Sequence, residues 1–229
     1  MKKCIINTED KEIIDFLSQL GYECVPVIVS DRVSAPISAH SDVLYRKIDS
    51  NTIIVSACQR ANFACLEASD YNVIVCDKLS AGYKTESFLN FIINDNFIIK
   101  NPNTALKLDD KYTNDKKIIN VKQGYTSCSV IQVTEQAYIT DDDNIYDTLT
   151  NNNLDCLKIK KGDIQLKGYD YGFIGGASVK LDENRILFFG DISDKTDKNN
   201  VISFLEKYGV NALFVSGKRL TDIGSALIL

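Results

Sequence analysis

The stretch Phe91–Ile99, with the sequence FIINDNFII, is typical of a tight β-hairpin, because two apolar runs flank the turn Asn94–Asn96. β-Branched and aromatic residues favour strands, and Asn and Asp favour the turn between them. Three other segments have the same pattern, at 43–55, 130–139 and 177–189. The sequence therefore predicts four β-hairpins of one kind.

Each hairpin is followed by a candidate helix and then by a third apolar run. In chain order these helices and strands lie at 63–66 and 73–75, 104–108 and 118–121, 145–149 and 156–159, and 201–205 and 212–215. The candidate helix at 104–108 is short and only weakly patterned. The predicted repeating unit is strand, strand, helix, strand.

The two ends of the chain supply a fifth unit. Ala226–Leu229 is a predicted strand without a hairpin partner, and Lys3–Ile6 is a strand followed by a helix at Lys11–Leu20 and a strand at Tyr22–Val27. Counted across the termini, the five units begin 39 to 49 residues apart. Such even spacing predicts a ring that is closed by pairing of the N- and C-terminal strands and that leaves no sheet edge exposed.

The composition is that of an ordinary globular protein. The 229 residues are 45% hydrophobic and 25% charged, and no apolar run is long enough to cross a membrane. A net charge of -5 argues against binding nucleic acid through bulk charge. We expect a single domain over residues 1–229, with neither nucleic acid nor membrane as partner.

Cysteine and histidine limit the chemistry. The chain has seven cysteines, no export-type leader and no C-x-x-C pair, so we expect reduced thiols in the cytoplasm. With a single histidine, His40, the usual ligands of a zinc site are lacking. No phosphate-loop pattern occurs either, and the sequence predicts no metal or cofactor.

Together with the five units, three short motifs resemble the pentein fold, the scaffold of guanidino-modifying enzymes such as arginine and dimethylarginine deiminases. These motifs are Ser38–Asp42, Val121–Ser129 and Tyr171–Ser178, and they are similar to a bacterial branch of that superfamily. The resemblance implies an α/β fold, a five-bladed propeller of ββαβ units. It also implies that the loops before each unit's first strand meet at a central channel, where a small-molecule ligand binds.

The chain departs from deiminases at the standard catalytic positions. Deiminases carry their nucleophilic cysteine just before the last strand, where this sequence has Thr221–Ala226 without a cysteine. Their histidine lies in a loop that corresponds to Gly190–Asp197, which contains no histidine. Either the deiminase chemistry is absent, or other units of the ring supply it.

Cys128 and His40 are the candidates for a relocated catalytic pair. Pseudo-rotation between units makes the position of Cys128 equivalent to that of the missing nucleophile, and His40 lies on a channel loop two residues from Asp42. In this hypothesis Cys128 attacks the guanidino carbon, His40 transfers protons and Asp42 orients the imidazole. In the alternative hypothesis the cysteine only packs and the histidine only completes a turn.

Four further side chains are candidate ligand contacts. Arg32 and Arg46 flank the His40 loop and would suit a carboxylate or phosphate group. Gln123 opens a channel loop, and either Asp191 or Asp42 is the candidate partner for a cationic substrate.

Two glycines and an acidic run each allow two interpretations. Gly175 and Gly176 would let backbone N–H groups approach a ligand, or would mark a tight turn that needs a positive φ. The run Asp141–Asp143 suggests a metal cluster at first sight, but it is more typical of the N-cap and first turn of a helix.

Two functions follow as hypotheses. In the first, the chain binds a small polar metabolite of guanidino or amidino type, or a partner, at the channel without standard deiminase catalysis. In the alternative, it is a Cys-dependent hydrolase or amidinotransferase that acts on a guanidino compound through Cys128 and His40. The sequence does not decide whether two copies of the chain form a homodimer.

Overall fold

The computed structural model describes residues 2–80 and 82–229, which form fifteen strands and six α-helices. In chain order these are β1 (Lys2–Ile6), α1 (Lys11–Gln19), β2 (Tyr22–Pro26), α2 (Ser41–Leu44), β3 (Tyr45–Lys47), β4 (Thr52–Ser56), α3 (Phe63–Glu67), β5 (Asn72–Cys76), α4 (Tyr83–Glu86), β6 (Ile92–Ile93), β7 (Phe97–Lys100), β8 (Lys117–Asn120), β9 (Val130–Gln132), β10 (Ala137–Thr140), α5 (Asp143–Asn151), β11 (Asp155–Lys158), β12 (Ser178–Asp182), β13 (Arg185–Phe188), α6 (Lys195–Lys207), β14 (Asn211–Phe214) and β15 (Ala226–Ile228). Short 3₁₀ turns lie at Ala35–Ile37, Ala57–Asn62 and Asp110–Tyr112.

The strands pair into five separate three-stranded sheets. Their strand orders are β3-β4-β5, β6-β7-β8, β9-β10-β11, β12-β13-β14 and β15-β1-β2. In every sheet the middle strand is antiparallel to the first strand and parallel to the third. The same unit thus occurs five times, and all four hairpins expected from the sequence are present.

The fifth sheet joins the two ends of the chain. On β15, Leu227 stands opposite Ile5 of β1 in an antiparallel pair, and β1 is also paired with the parallel strand β2. The main-chain N–H of Leu229 extends this pairing by donating to the carbonyl of Lys3 at 2.9 Å.

The helices cover the sheets with apolar residues spaced four apart. Helix α1 buries Ile13 and Leu17, and α6 buries Val201 and Leu205, all with no exposed surface. An aspartate side chain caps the N-terminus of each of the three longest helices, at Asp10, Asp142 and Asp194. The helix-cap interpretation of the acidic run is confirmed, because Asp142 accepts from the N–H of Ile145 at 2.9 Å. Within the described ranges, no helix has the length and apolarity needed to cross a membrane.

Two predictions about local structure are wrong. The expected helix at 104–108 is absent, and the second unit carries only the 3₁₀ turn at 110–112. The side chain of Asn101 accepts from the N–H of Asn103 at 2.9 Å and holds a turn there, and so short a segment gains too few bonds to nucleate a helix. The first strand of the first unit begins at Tyr45 rather than Val43, because residues 41–44 form the helical turn α2.

Candidate functional site

Five loops, each preceding the first strand of one sheet, are joined to one another by hydrogen bonds. The first loop is joined to the last because the N–H of Asp42 donates to Gly224 O at 3.0 Å, and it is joined to the second because Asn90 Nδ2 donates to Asp42 O at 3.2 Å. The third loop is joined to the second because the N–H of Cys128 donates to Asn90 Oδ1 at 3.1 Å. The fourth loop is joined to the third and to the last, because the N–H of Gly176 donates to Cys128 O at 3.0 Å and the N–H of Ser225 donates to Gly176 O at 2.8 Å. The last loop, 222–225, thereby connects back to the first. These bonds fix side chains that are far apart in sequence into one small region.

A cavity of about 400 Å³ opens at this junction. Its wall consists of Ile37, His40, Val43, Tyr83, Gln123, Tyr125, Cys128, Leu166, Tyr169, Asp170, Tyr171, Phe173 and Asp222. His40 and Cys128 are each 3% exposed and Asp222 is 4% exposed, whereas Asp170 lies at the surface. His40 and Cys128, which sequence reasoning selected, are therefore at the buried end of the cavity together with Asp222, and Asp170 is at its rim.

His40 lies between two carboxylates. Its Nδ1 atom is 3.7 Å from Oδ1 of Asp222 and 4.0 Å from Oδ1 of Asp42. The helical turn α2 holds His40 and Asp42 in this place, because Gly224 O accepts from both the N–H of Asp42 and the hydroxyl of Ser41. The imidazole is thereby placed near carboxylates from the first and the last of the five loops.

The Asp222 carboxylate is fixed by main-chain donors. Oδ2 accepts from the N–H of Phe173 at 2.9 Å, and Oδ1 accepts from the N–H of Gly224 at 3.0 Å. Burial nevertheless raises the pKa of Asp222 to about 6, with the nearby Asp42 carboxylate adding to the rise and His40 opposing it. A cation placed beside Asp222 would restore its charged form.

The carboxylate of Asp42 is buried without a hydrogen-bond donor. Its side chain is 8% exposed, and neither carboxylate oxygen has a hydrogen-bond partner in the described part of the chain. Asp42 does not line the first cavity, but it lines a second cavity of about 370 Å³, together with Arg46, Ser127 and Gly175. A buried carboxylate without donors is unfavourable, and a donor-rich ligand would relieve that cost.

Cys128 is held as a neutral thiol. Burial, together with the carboxylates of Asp42 and Asp222, raises its pKa well above the ordinary value, and the Asn90 amide only partly offsets this by donating to Sγ at 2.8 Å. In this state the sulfur is not an activated nucleophile. A positive charge bound next to it would shift the balance towards the thiolate.

Glycines allow the chain to approach this closely. A Cβ on Gly176 would lie 2.1 Å from Oδ1 of Asp222, one on Gly175 would lie 2.3 Å from Ser127 O, and one on Gly224 would lie 2.3 Å from His40 Cβ. Gly224 has a φ of +80°, but Gly175 and Gly176 are not among the residues with positive φ, so the explanation by a positive-φ turn is wrong for them. Their absent side chains make room for neighbouring loops instead.

Aromatic rings form one wall of the cavity. Tyr83, Tyr125, Phe173 and Tyr171 follow one another with ring centroids 5.6, 6.3 and 6.1 Å apart. The Tyr125 hydroxyl donates to the buried Glu86 at 2.6 Å, and the Tyr83 hydroxyl accepts from the N–H of Gly124 at 2.7 Å. The ring faces are therefore held in place, and aromatic faces attract cations.

The structure brings some predicted residues to this cavity and not others. Gln123 lines the wall and turns its Oε1 towards the N–H of Tyr125, at 3.1 Å. Arg32 instead pairs with Asp77 at 2.9 Å, and Asp191 pairs with Lys198 at 2.7 Å; neither lines the cavity.

Arg46 stabilises the loops rather than facing the first cavity. Its guanidinium donates to Leu89 O at 2.8 Å, to Asp42 O at 3.1 Å and to the Ser127 hydroxyl at 2.5 Å. With these donors engaged, the side chain ties three of the five loops together.

Sequence reasoning missed Asp222, Asn90 and the aromatic wall. The position of Asp222 in the loop before the final strand was a usable signal, because every such loop reaches the junction. Asn90 lies two residues before the second unit's first strand, β6, and Asp42 lies three residues before the first unit's first strand, β3. The rings of Tyr169, Tyr171 and Phe173 lie in a segment without regular structure, so no periodicity indicated their direction.

Comparison with solved structures places this architecture among known folds. The amidinotransferase SxtG from Microseira wollei superposes with a TM-score of 0.60 and 10% identity, over 94% of this chain and 89% of that one. The inosamine-phosphate amidinotransferase StrB1 from Streptomyces griseus gives 0.58 and 11%, over 94% and 77%. A mutant of DDAH from Pseudomonas aeruginosa complexed with citrulline gives 0.57 and 8%, over 100% and 99%.

These similarities show the fold: the chain is a mixed α/β protein with five small three-stranded sheets, as in the pentein structures. The sequence matches no curated protein. One family model, described as a family of unknown function (DUF6873), matches residues 5–227. The chain therefore belongs to this family, DUF6873, and has the pentein fold.

Proposed function

We propose that this protein binds a small guanidino or amidino cation in the first cavity and does not carry out standard deiminase catalysis. One observation carries the proposal: buried carboxyl groups lie at a cavity whose described wall contains no Lys or Arg. Asp222 lines the buried end, and Asp42, with Oδ1 4.0 Å from Nδ1 of His40, has no hydrogen-bond partner for its carboxylate in the described part of the chain. A planar cation with several N–H donors supplies positive charge and further hydrogen-bond donors to this end of the cavity.

The aromatic wall supports the same ligand class. Four rings in contact provide flat apolar faces against which a delocalised cation can stack. A guanidinium or amidinium group is flat and weakly hydrated, and therefore suits such a wall better than a compact ammonium group does.

The proposal includes a closed arrangement of the five sheets. In a five-bladed propeller formed by residues 1–229 as a single domain, the loops before each first strand meet on the axis and the cavity is part of a central channel. The hydrogen bonds that connect the five loops in sequence support this arrangement. The seven free cysteines support a cytoplasmic setting. The net charge of -5 argues against nucleic acid as a partner.

The test is calorimetric titration with a guanidine and its neutral isostere, such as methylguanidine and methylurea. We expect the cation to bind at least about tenfold more tightly than the urea. Asp222→Asn should remove most of that preference, and Asp42→Asn, which removes a negative charge near the wall of the cavity, should reduce it. Asp191→Asn is the matched control, because Asp191 pairs with Lys198 outside the cavity. Equal binding of urea and guanidine, or an unchanged affinity in both cavity variants, would refute the proposal.

A Cys-dependent enzyme is the second candidate, and one observation favours it. Cys128 and His40 line the same cavity, so both side chains could contact a guanidino group that is bound there. Turnover would then require the ligand's own charge to lower the pKa of Cys128, which the resting site keeps raised. Product analysis after incubation with guanidino compounds decides between the two: activity that is lost in Cys128→Ser supports the enzyme, and binding without product in the native protein supports the binding function.

A further inference from the structure

Two cysteines face each other in the sheet formed by the chain ends, away from the cavity. Cys4 on β1 is the register partner of Cys24 on β2, and the two Sγ atoms are 3.6 Å apart. Adjacent strands lie about 4.8 Å apart. This spacing falls within the range of about 4.4–6.8 Å between Cα atoms that a disulfide bridges.

The pair stands alone among the thiols. All seven cysteines lie in the described ranges and are free, and only Cys4 and Cys24 are joined by a sulfur–sulfur hydrogen bond. Cys58 instead contacts the hydroxyl of Ser56 and the amide of Gln59. An oxidation that links two cysteines therefore has one geometrically suitable site.

The two thiols differ in burial and in acidity. Cys4 is fully buried in the core cluster that includes Ile13 and Leu17, whereas Cys24 is half-buried at the edge of that cluster. Cys4 donates its hydrogen bond to Cys24, and this bond lowers the pKa of Cys24 while the pKa of Cys4 is raised. A more acidic, partly exposed thiol beside a protected second thiol is the arrangement of an attacking and a resolving cysteine.

We propose that Cys4 and Cys24 are an oxidation site at which a hydroperoxide forms an intrachain disulfide. The Cys24 thiolate attacks the peroxide, an S–O bond forms, the O–O bond breaks, and the leaving hydroxide takes up a proton to become water. The Cys4 sulfur then attacks the resulting sulfenic acid, the S–S bond forms, and the departing hydroxide leaves as water with the proton of Cys4. Two thiols lose two electrons in all, and hydrogen peroxide is reduced to two waters.

The disulfide would clamp the sheet that joins the chain ends. It fixes β1 to β2, and β1 is at the same time the partner of β15, in which Ile228 stands opposite Cys4. Strand β15 begins directly after the loop 222–225, which carries Asp222. Oxidation therefore restrains the strand that anchors the loop of the candidate site.

The experiment treats the native full-length protein with a small excess of hydrogen peroxide, blocks the remaining thiols with an alkylating agent and digests it without reduction. We expect the free thiols to fall from seven to five, and one cross-linked peptide pair containing Cys4 and Cys24, two hydrogens lighter than the separate peptides. A reductant should restore all the thiols, and the oxidised protein should melt at a higher temperature than the reduced protein.

Variants test the pair without replacing the fully buried Cys4, and a chemical trap identifies the attacking sulfur. Cys24→Ser should abolish the cross-link and leave Cys4 reduced, whereas Cys58→Ser and Cys65→Ser, which remove the other half-buried thiols, should leave the cross-link unchanged. In the native protein, a dimedone-like trap present during oxidation should label Cys24 and not Cys4. Sulfinic acid at Cys24 with Cys4 still reduced, a cross-link to any other cysteine, or no loss of thiols would each overturn the proposal.

Discussion

The imidazole Nδ1 of His40 lies 3.7 Å from Oδ1 of Asp222, although the two residues belong to the first and the last of the five loops. The contact depends on Gly224, where any side chain would collide with His40. It unites the chain's single histidine with a carboxyl group whose pKa burial raises to about 6. The protonation of Asp222 is therefore linked to folding and, in the proposed function, to the binding of the cation.

The stability of the protein should depend on pH through Asp222. Its pKa is raised from 3.8 to about 6, so between these values the folded state retains a proton that the unfolded chain has released. Rising pH therefore favours the unfolded chain, and this group lowers the free energy of unfolding by up to about 3 kcal/mol between pH 4 and pH 7. Denaturant unfolding of the native protein and of Asp222→Asn at both pH values measures this, because the variant lacks the titrating group.

Asp141→Asn is the control for this measurement. Burial raises the pKa of Asp141 to about 6 as well, but Asp141 does not line the first cavity. Each variant should remove a part of the same pH dependence, whereas only Asp222→Asn should also weaken the binding of a guanidino cation. If the difference in the free energy of unfolding between the native protein and Asp222→Asn stays constant from pH 4 to pH 7, Asp222 is not the source of the pH dependence.

Cys128 should react slowly with alkylating agents. Because burial and two carboxylates raise its pKa, the native protein at pH 8 should be alkylated at Cys128 at least about tenfold more slowly than the unfolded chain. Asp42→Asn removes one of the carboxylates and should accelerate the reaction, whereas Asp191→Asn should not. Peptide mass spectrometry over a pH series gives the rates, and a fast reaction with a lowered pKa would instead favour the enzyme.

The sequence was sufficient for the repeated unit but not for the site. Apolar runs around Asn- and Asp-rich turns determine the hairpins locally, so they were predictable. Comparing the units also placed Cys128 and His40 in the loops that meet. The side chains of Asp222 and Tyr125, by contrast, are fixed by donors and acceptors from other loops, namely Phe173 N–H and Glu86. Such contacts between loops leave no periodicity in the sequence.

Arginine and aspartate illustrate the same limit. Arg32 and Asp191 are predicted ligand contacts from the sequence, but each already has an ion-pair partner: Arg32 pairs with Asp77, which is distant in sequence, and Asp191 pairs with Lys198 of α6. Charge type and approximate position can be read from a sequence. Whether a nearby opposite charge already satisfies the group depends on tertiary packing.

Gly176→Ala should disturb the site and the fold together. The added methyl group would lie 2.1 Å from Oδ1 of Asp222, so the carboxylate must move and lose its main-chain donors. We expect a loss of about 2–4 kcal/mol in the free energy of unfolding and weaker cation binding. Gly209→Ala, where the space is open but φ is +69°, should cost only about 1 kcal/mol and leave binding unchanged. Equal effects of the two substitutions would contradict the packing argument.

Deletion of residues 226–229 should destabilise the whole chain. It removes β15, exposes the edge of β1, and uncovers apolar partners such as Ile5. We expect a loss of several kcal/mol, on the order of 25 cal/mol for each Å² of apolar surface that becomes exposed. Thermal unfolding of the truncated and native proteins measures it, and Thr221→Ala, which changes an exposed hydroxyl near the same end, serves as a control. Identical melting temperatures would rule out a structural role for the terminal sheet.

The charge of the ligand's far end should also matter, because the rim residue Asp170 is acidic and makes no ion pair within residues 2–80 and 82–229. Agmatine and arginine share a guanidinium group and an amine, but arginine adds a carboxylate. We expect agmatine to bind at least about tenfold more tightly, and Asp170→Asn to reduce this ratio. Lys161 lies over the Tyr171 ring at 5.1 Å and is the basic group that could reverse the preference. Arginine could instead bind as tightly as agmatine and lose that binding in Lys161→Ala. The end of the cavity away from Asp222 would then recognise a carboxylate. This result would contradict the predicted preference for agmatine, but not the proposed cation site at Asp222.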